Sequence, residues 1–193
     1  MKRLLTALWL AALALTAQAN VVYFHADLSG AAESPPNASP ATGFTDMTYD
    51  SSTHLLSIHI VFSNLIGLTT ASHIHCCTAV PGVANSGVAT ELPSFDFLVP
   101  GVQSGDVFGV EDLSLAADYN PAFLNAHGGT AAGAEAFLLA GMMSGQAYLN
   151  VHSSFRPGGE IRGFLQVPEP LTSVLALLAL SALWFARQVT SRR

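Results

Sequence analysis

His73-Ile74-His75 places two imidazoles two residues apart. In an extended strand that spacing sends both to one face, about 7 Å apart at the Cα atoms, which suits two ligands of one metal ion. His152 closes the segment Tyr148-Leu149-Asn150-Val151-His152, where Tyr148, Asn150 and His152 share the face opposite Leu149 and Val151. If the two strands lie side by side, three imidazoles converge. His73, His75 and His152 are therefore the candidate metal set, and copper or zinc is the ion their donor type suits. The competing reading is structural, with two histidines hydrogen-bonded to loops and a third in a surface or polar network. His25, His54, His59 and His127 stand alone in the chain and read as surface or network residues. His59 joins the set only if its strand borders the same face.

Cys76 and Cys77 follow directly and are the only cysteines. Adjacent cysteines can close a vicinal disulfide, pair between chains, or supply one soft ligand beside His75. The vicinal disulfide is the favoured reading. Neighbours in an extended strand point to opposite faces, so closure requires a turn there.

A further cluster, Pro157-Gly158-Gly159-Glu160-Ile161-Arg162-Gly163, pairs a tight turn with two charges. Gly158 and Gly159 permit positive φ, and Glu160 and Arg162, two apart on a strand, share a face. The expectation is a structural role, an ion pair between them with Arg162 also able to brace a loop carbonyl; the functional alternative is an arginine that binds a ligand carboxylate. No Gly-x-Ser-x-Gly, His-Glu-x-x-His, phosphate-cradling glycine loop or carboxylate pair fixed by spacing is present, so no catalytic residues are assigned and an enzyme is not expected.

The elements that must position these residues are mostly strands. Val21 to Leu28, Gly43 to Tyr49, Leu55 to Phe62, Ala71 to Cys76, Phe95 to Val99, Gly105 to Leu115, Gln146 to His152 and Glu160 to Val167 read as strands bounded by turn residues. Leu56, Ile58, Ile60 and Phe62 form one wholly apolar face, as a half-buried strand requires. Two helices interrupt the pattern. Asn120-Pro121 opens a short one ending at Gly128-Gly129, and Thr130 opens another through Ala132 to Met143, whose stripe includes Phe137, Leu138 and Met142. The fold class is mainly β, an antiparallel sandwich or barrel with short helical insertions.

Both ends of the chain have a grammar of their own. Lys2 and Arg3, the apolar run Leu4 to Leu15 and Ala17-Gln18-Ala19 read as a signal peptide over residues 1–19. At the other end, Pro168-Glu169-Pro170 precedes an uncharged run over 171–186 and then Arg187, Arg192 and Arg193. That run is about 16 residues, roughly 24 Å as a helix, and only marginally spans a bilayer. Residues 167–193 therefore read as a hydrophobic sorting or anchoring tail, leaving a β domain over 20–166. Five of the seven cations lie in these two ends. Between Asn20 and Leu165, Arg156 and Arg162 face twelve Asp and Glu, a net charge near −10. That charge argues against nucleic acid and anionic lipid surfaces as partners and is compatible with cations.

Pro168-Glu169-Pro170, the apolar run and the basic end together resemble the PEP-CTERM sorting signal of bacteria that make extracellular polysaccharide. The resemblance implies an exosortase-type membrane enzyme as a partner, with at least transient anchoring through the tail. The domain between the ends resembles the CHRD domain, a module of chordin and of bacterial exported proteins. Ala71-Ser72-His73-Ile74-His75, Gly82, Tyr148 to His152 and Pro157 to Gly163 carry the match. It implies an immunoglobulin-like β-barrel with a faint similarity to copper/zinc superoxide dismutase. In that enzyme a His-x-His strand and a later Val-His supply copper ligands, which His73, His75 and His152 match. No bridging histidine or complete zinc set has a counterpart here, and Cys76-Cys77 stands where the family commonly has Gly-Pro. The functional expectation is an exported, non-enzymatic binding or structural module of the cell envelope or biofilm matrix, with polysaccharide or envelope proteins as partners. The alternative is a copper- or zinc-binding domain.

Overall fold

The computed structural model describes residues 21–168. The expected signal peptide, Glu169, Pro170 and the apolar run over 171–186 lie outside the described residues, among which no helix is long and apolar enough to cross a membrane.

Seven strands form a single antiparallel sheet: β1 Val21–Ser29, β2 Thr42–Asp50, β3 Leu55–Ser63, β4 Thr69–His75, β5 Gly105–Asp112, β6 Tyr148–Ser153 and β7 Ile161–Phe164. Their order is β4-β6-β7-β1-β2-β3-β5. β1, β2 and β3 form a meander in full register, with Phe24 opposite Met47 and Met47 opposite Ile58. The alternation in β3 buries Leu56, Ile58, Ile60 and Phe62 against the core, while Ser57, His59 and Val61 take the other face.

The sheet curls until its two edges approach each other. Thr69 of β4 donates its N–H to Val102 O at 2.8 Å and accepts from Gly101 N–H at 2.9 Å, joining the first strand of the order to the segment that leads into β5. Further along, Ala89 N–H donates to Ile74 O, and Asn120 N–H to Ala89 O. Loop backbone thus supplies the partners that an open edge would lack.

Phe95 to Val99 departs from its expected reading as a strand. It is a turn, closed by Leu98 N–H on Phe95 O. The apolar residues that signal a strand are here anchors of a loop: Phe95 is buried, stacks on Phe97 at 5.0 Å, and gives its N–H to Ser72 O. Periodicity cannot separate the two cases in so short a run.

Among the described residues the two α-helices are α1 Pro121–Ala126 and α2 Ala131–Met143. Both open on side-chain caps: Asn120 accepts from Ala122 N–H, with Pro121 at the first turn, and Thr130 accepts from Gly133 N–H. α2 buries Ala134, Leu138, Gly141 and Met142. It is tied to the meander by Glu135, which accepts from Tyr49 OH at 2.6 Å and lies 2.8 Å from His54 Nδ1. Phe137 does not belong to the buried stripe. It faces outward and stacks on His127 at 3.7 Å.

Candidate metal centre

β4 and β6 are hydrogen-bonded neighbours, with His73 opposite Asn150, His75 opposite Tyr148 and Ala71 opposite His152. His152 is thus the diagonal neighbour of His73 on the same face. His73, His75 and His152 are 5, 8 and 8 % exposed. One ligand nitrogen from each lies within 4.8 Å of the other two. His59 stands apart on β3, bonded through Nε2 to Asp106 at 2.8 Å, and does not join them. His25 pairs with Asp46 and His54 with Glu135.

The second nitrogen of each imidazole meets a backbone carbonyl: His73 Nε2 and Pro93 O at 2.8 Å, His75 Nδ1 and Ser86 O at 2.9 Å, His152 Nδ1 and Pro157 O at 2.9 Å. A carbonyl can only accept, so each of these nitrogens carries the hydrogen. The neutral tautomers then leave lone pairs on His73 Nδ1, His75 Nε2 and His152 Nε2. Two of these lone pairs face each other, His73 Nδ1 and His152 Nε2, at 3.2 Å. The third, on buried His75 Nε2, has no hydrogen-bond partner.

Facing lone pairs repel unless a cation lies between them. A proton is disfavoured, because burial, reinforced by the His152 charge, lowers His73 to about 4. Burial likewise lowers His75 to about 4 and lowers His152. A metal ion suits the same positions. Two nitrogens each ~2.0–2.1 Å from one ion stand ~2.9–3.4 Å apart for angles between square and tetrahedral. Carbonyl acceptors on the outer N–H groups are the support that metal-bound imidazoles take, fixing tautomer and ring plane. The residues therefore fit a copper or zinc ion.

Around the triad the chain is braced by Arg162. Its Nε donates to Ala32 O at 2.6 Å and one NH₂ group to Asn85 Oδ1 at 2.7 Å, and Glu33 stands 3.9 Å away. The guanidinium lies over Tyr148 at 4.6 Å, and the Tyr148 ring stacks on His75 at 4.8 Å. Burial raises Glu33 to about 7 despite Arg162.

The expected Glu160–Arg162 ion pair does not form. Glu160 precedes β7 in the turn and goes the other way, accepting from Ser39 OH, Ser153 OH, Ile66 N–H and Gly67 N–H. Four local donors satisfy the carboxylate more fully than one guanidinium could. The bracing of a loop carbonyl by Arg162 is present, at Ala32. Gly159, at φ 131°, closes the turn, where a Cβ would collide with the Asn150 amide. Gly158 has open space around it, and Pro168 lies beyond the last strand.

Cys76 and Cys77 are bonded to each other just after β4 ends at His75. Neither sulfur is then available as a ligand. The pair packs against α2 at Gly141, where a Cβ would meet both sulfurs. Gly141→Ala is expected to cost about 1–3 kcal/mol in denaturant unfolding, the usual penalty for overpacking.

The carbonyls of Ser86, Pro93 and Pro157 were not legible as site groups, because backbone oxygens carry no residue-type signal. The turn at Pro157-Gly158-Gly159 marks one of them in retrospect.

An antiparallel β domain with one histidine-lined interior face is the class these observations define. The family model of the CHRD domain matches residues 24–165. The chain belongs to the CHRD family, a domain of extracellular or secreted type. No curated protein and no solved structure matches it.

Proposed function

We propose that this is an exported envelope or matrix module that binds, rather than turns over, its ligand, and that the ligand at its centre is a copper or zinc ion held by His73, His75 and His152. The observation that carries the reading is a cluster of three buried imidazoles in which the lone pairs of His73 Nδ1 and His152 Nε2 face each other and His75 Nε2 has no partner. A purely structural role for these histidines would leave that repulsion uncompensated. The metal supplies a positive charge there and an open coordination position for a further donor.

Delivery is the second part of the proposal. Residues 1–19 act as the export signal, and Pro168-Glu169-Pro170 with the run over 171–186 acts as a sorting tail read by an exosortase-type enzyme, placing the domain beside polysaccharide and other envelope proteins. The acidic domain between the ends suits an environment where cations are captured rather than nucleic acid.

Elemental analysis of protein recovered from the periplasm tests the metal reading. One equivalent of copper or zinc is expected, falling below about a tenth in the His73→Ala/His75→Ala double variant. Less than a tenth in the parent protein, unchanged in the double variant, sinks it.

A further inference from the structure

A second cluster involves the loop that carries Pro93, the carbonyl partner of His73. Carboxylate oxygens of Glu91, Asp96 and Glu111 lie within 4.8 Å of one another. Glu111, on β5, is 3 % exposed. No backbone N–H or hydroxyl among the described residues reaches its carboxylate, whose one hydrogen-bond partner is the Glu91 carboxyl when a proton lies between the two. Glu91 uses one oxygen to accept from Asp96 N–H at 3.1 Å, while the other, Oε2, is buried without a partner. Asp96 is exposed and forms the mouth of the cluster.

Two carboxylates held together, one of them buried, are costly when both are ionised unless a positive charge joins them. Burial, then the adjoining Glu91 carboxyl, raises Glu111 to about 9, and Asp118 and Asp96 add to the repulsion. A proton relieves one charge of the set. A divalent cation relieves two and takes the unpartnered Glu91 Oε2 as a ligand. The donors are all hard oxygens with no nitrogen or sulfur, the chemistry that calcium selects.

We propose that Glu91, Asp96 and Glu111 form a calcium site that clamps the loop over residues 91–96 to β5. The same loop supplies Pro93 O, which holds His73 Nε2–H, and Phe95, which anchors to Ser72 of β4. Calcium binding therefore rigidifies one wall of the histidine centre. The site stands on its own residues and does not depend on a metal at the histidines, since imidazoles are poor calcium ligands.

Thermal unfolding of the full chain, metal-stripped and then measured in EDTA or in excess CaCl₂, tests the site. At a hundredfold excess over Kd the midpoint is expected to rise by about 5–10 °C. Glu111→Gln keeps the side-chain shape and lets the amide donate to Glu91. It is expected to match or exceed the parent in EDTA and to show no calcium shift. Asp96→Asn, at the exposed mouth, provides the same readout with little risk to folding. Absence of a calcium shift in the parent, or a full shift retained in both variants, overturns the proposal.

Discussion

Glu160→Gln is expected to destabilise the domain by about 3–5 kcal/mol, lowering the thermal midpoint by roughly 10 °C, although it removes no volume and the residue is 0 % exposed. The reason lies in how the four donors divide. Oε1 accepts from Ser39 OH and Ile66 N–H, and Oε2 from Ser153 OH and Gly67 N–H. A glutamine must turn its NH₂ toward one pair or the other. The serine hydroxyls can rotate to accept, but a backbone N–H cannot, so either orientation sets a donor against a buried donor. Such a group costs its desolvation in full, and the surviving bonds lose the strength that charge gave them. The loss propagates, because these four donors come from the loop after β1, the loop before β4 and the end of β6.

The pH dependence follows the same carboxylate. Burial alone would raise it, yet Ser153, Ser39 and the two N–H groups hold it below its ordinary value of 4.5. A depressed value means that the folded state favours the ionised form. This contribution is therefore complete above about pH 4.5 and is lost as pH falls through the lower folded-state value. In an acid titration followed by circular dichroism, the parent is expected to lose this component below about pH 4.5, and the glutamine variant to lack it. A variant as stable as the parent at neutral pH contradicts the reading.

How much of this was readable in the chain depends on sequence separation. The alternation of β3 and the His-x-His spacing are properties of single strands, so period two exposes them directly. The pairing of β4 with β6 joins residues almost eighty positions apart, and only the resemblance of the motifs placed them together. Glu91 and Glu111 escaped notice for the same reason: one sits in a loop and the other on an edge strand, twenty positions on, with no local spacing that relates them. Glu160 and Arg162 were misread in the opposite sense. Spacing put them on one face, but Glu160 lies before the strand begins, where the alternation does not yet apply. Phe95 and Phe97 carry a strand's composition and serve as loop anchors, because burial alone does not select an element type.

Replacement of His75 by phenylalanine is expected to separate the metal reading from the structural one. The ring keeps its stacking on Tyr148 and fills the same buried space. It removes the unpartnered Nε2. The bond lost from Nδ1 leaves little behind, since Ser86 O also accepts from Tyr148 OH at 3.3 Å. Stability of the metal-free domain should therefore be unchanged within about 1 kcal/mol or improve, since deleting an unsatisfied buried polar atom is favourable. Affinity for copper or zinc, measured by competition with a chelator of known affinity, should fall at least about a hundredfold, as one of three ligands is gone and losing even a supporting partner costs ten- to a hundredfold. His59→Ala, outside the cluster, should leave it unaltered. A binding residue retained against the interest of stability predicts this combination, gain or neutrality without metal and loss with it. A structural histidine predicts the reverse: His75→Phe would then destabilise the metal-free domain by several kcal/mol and leave metal uptake where it was.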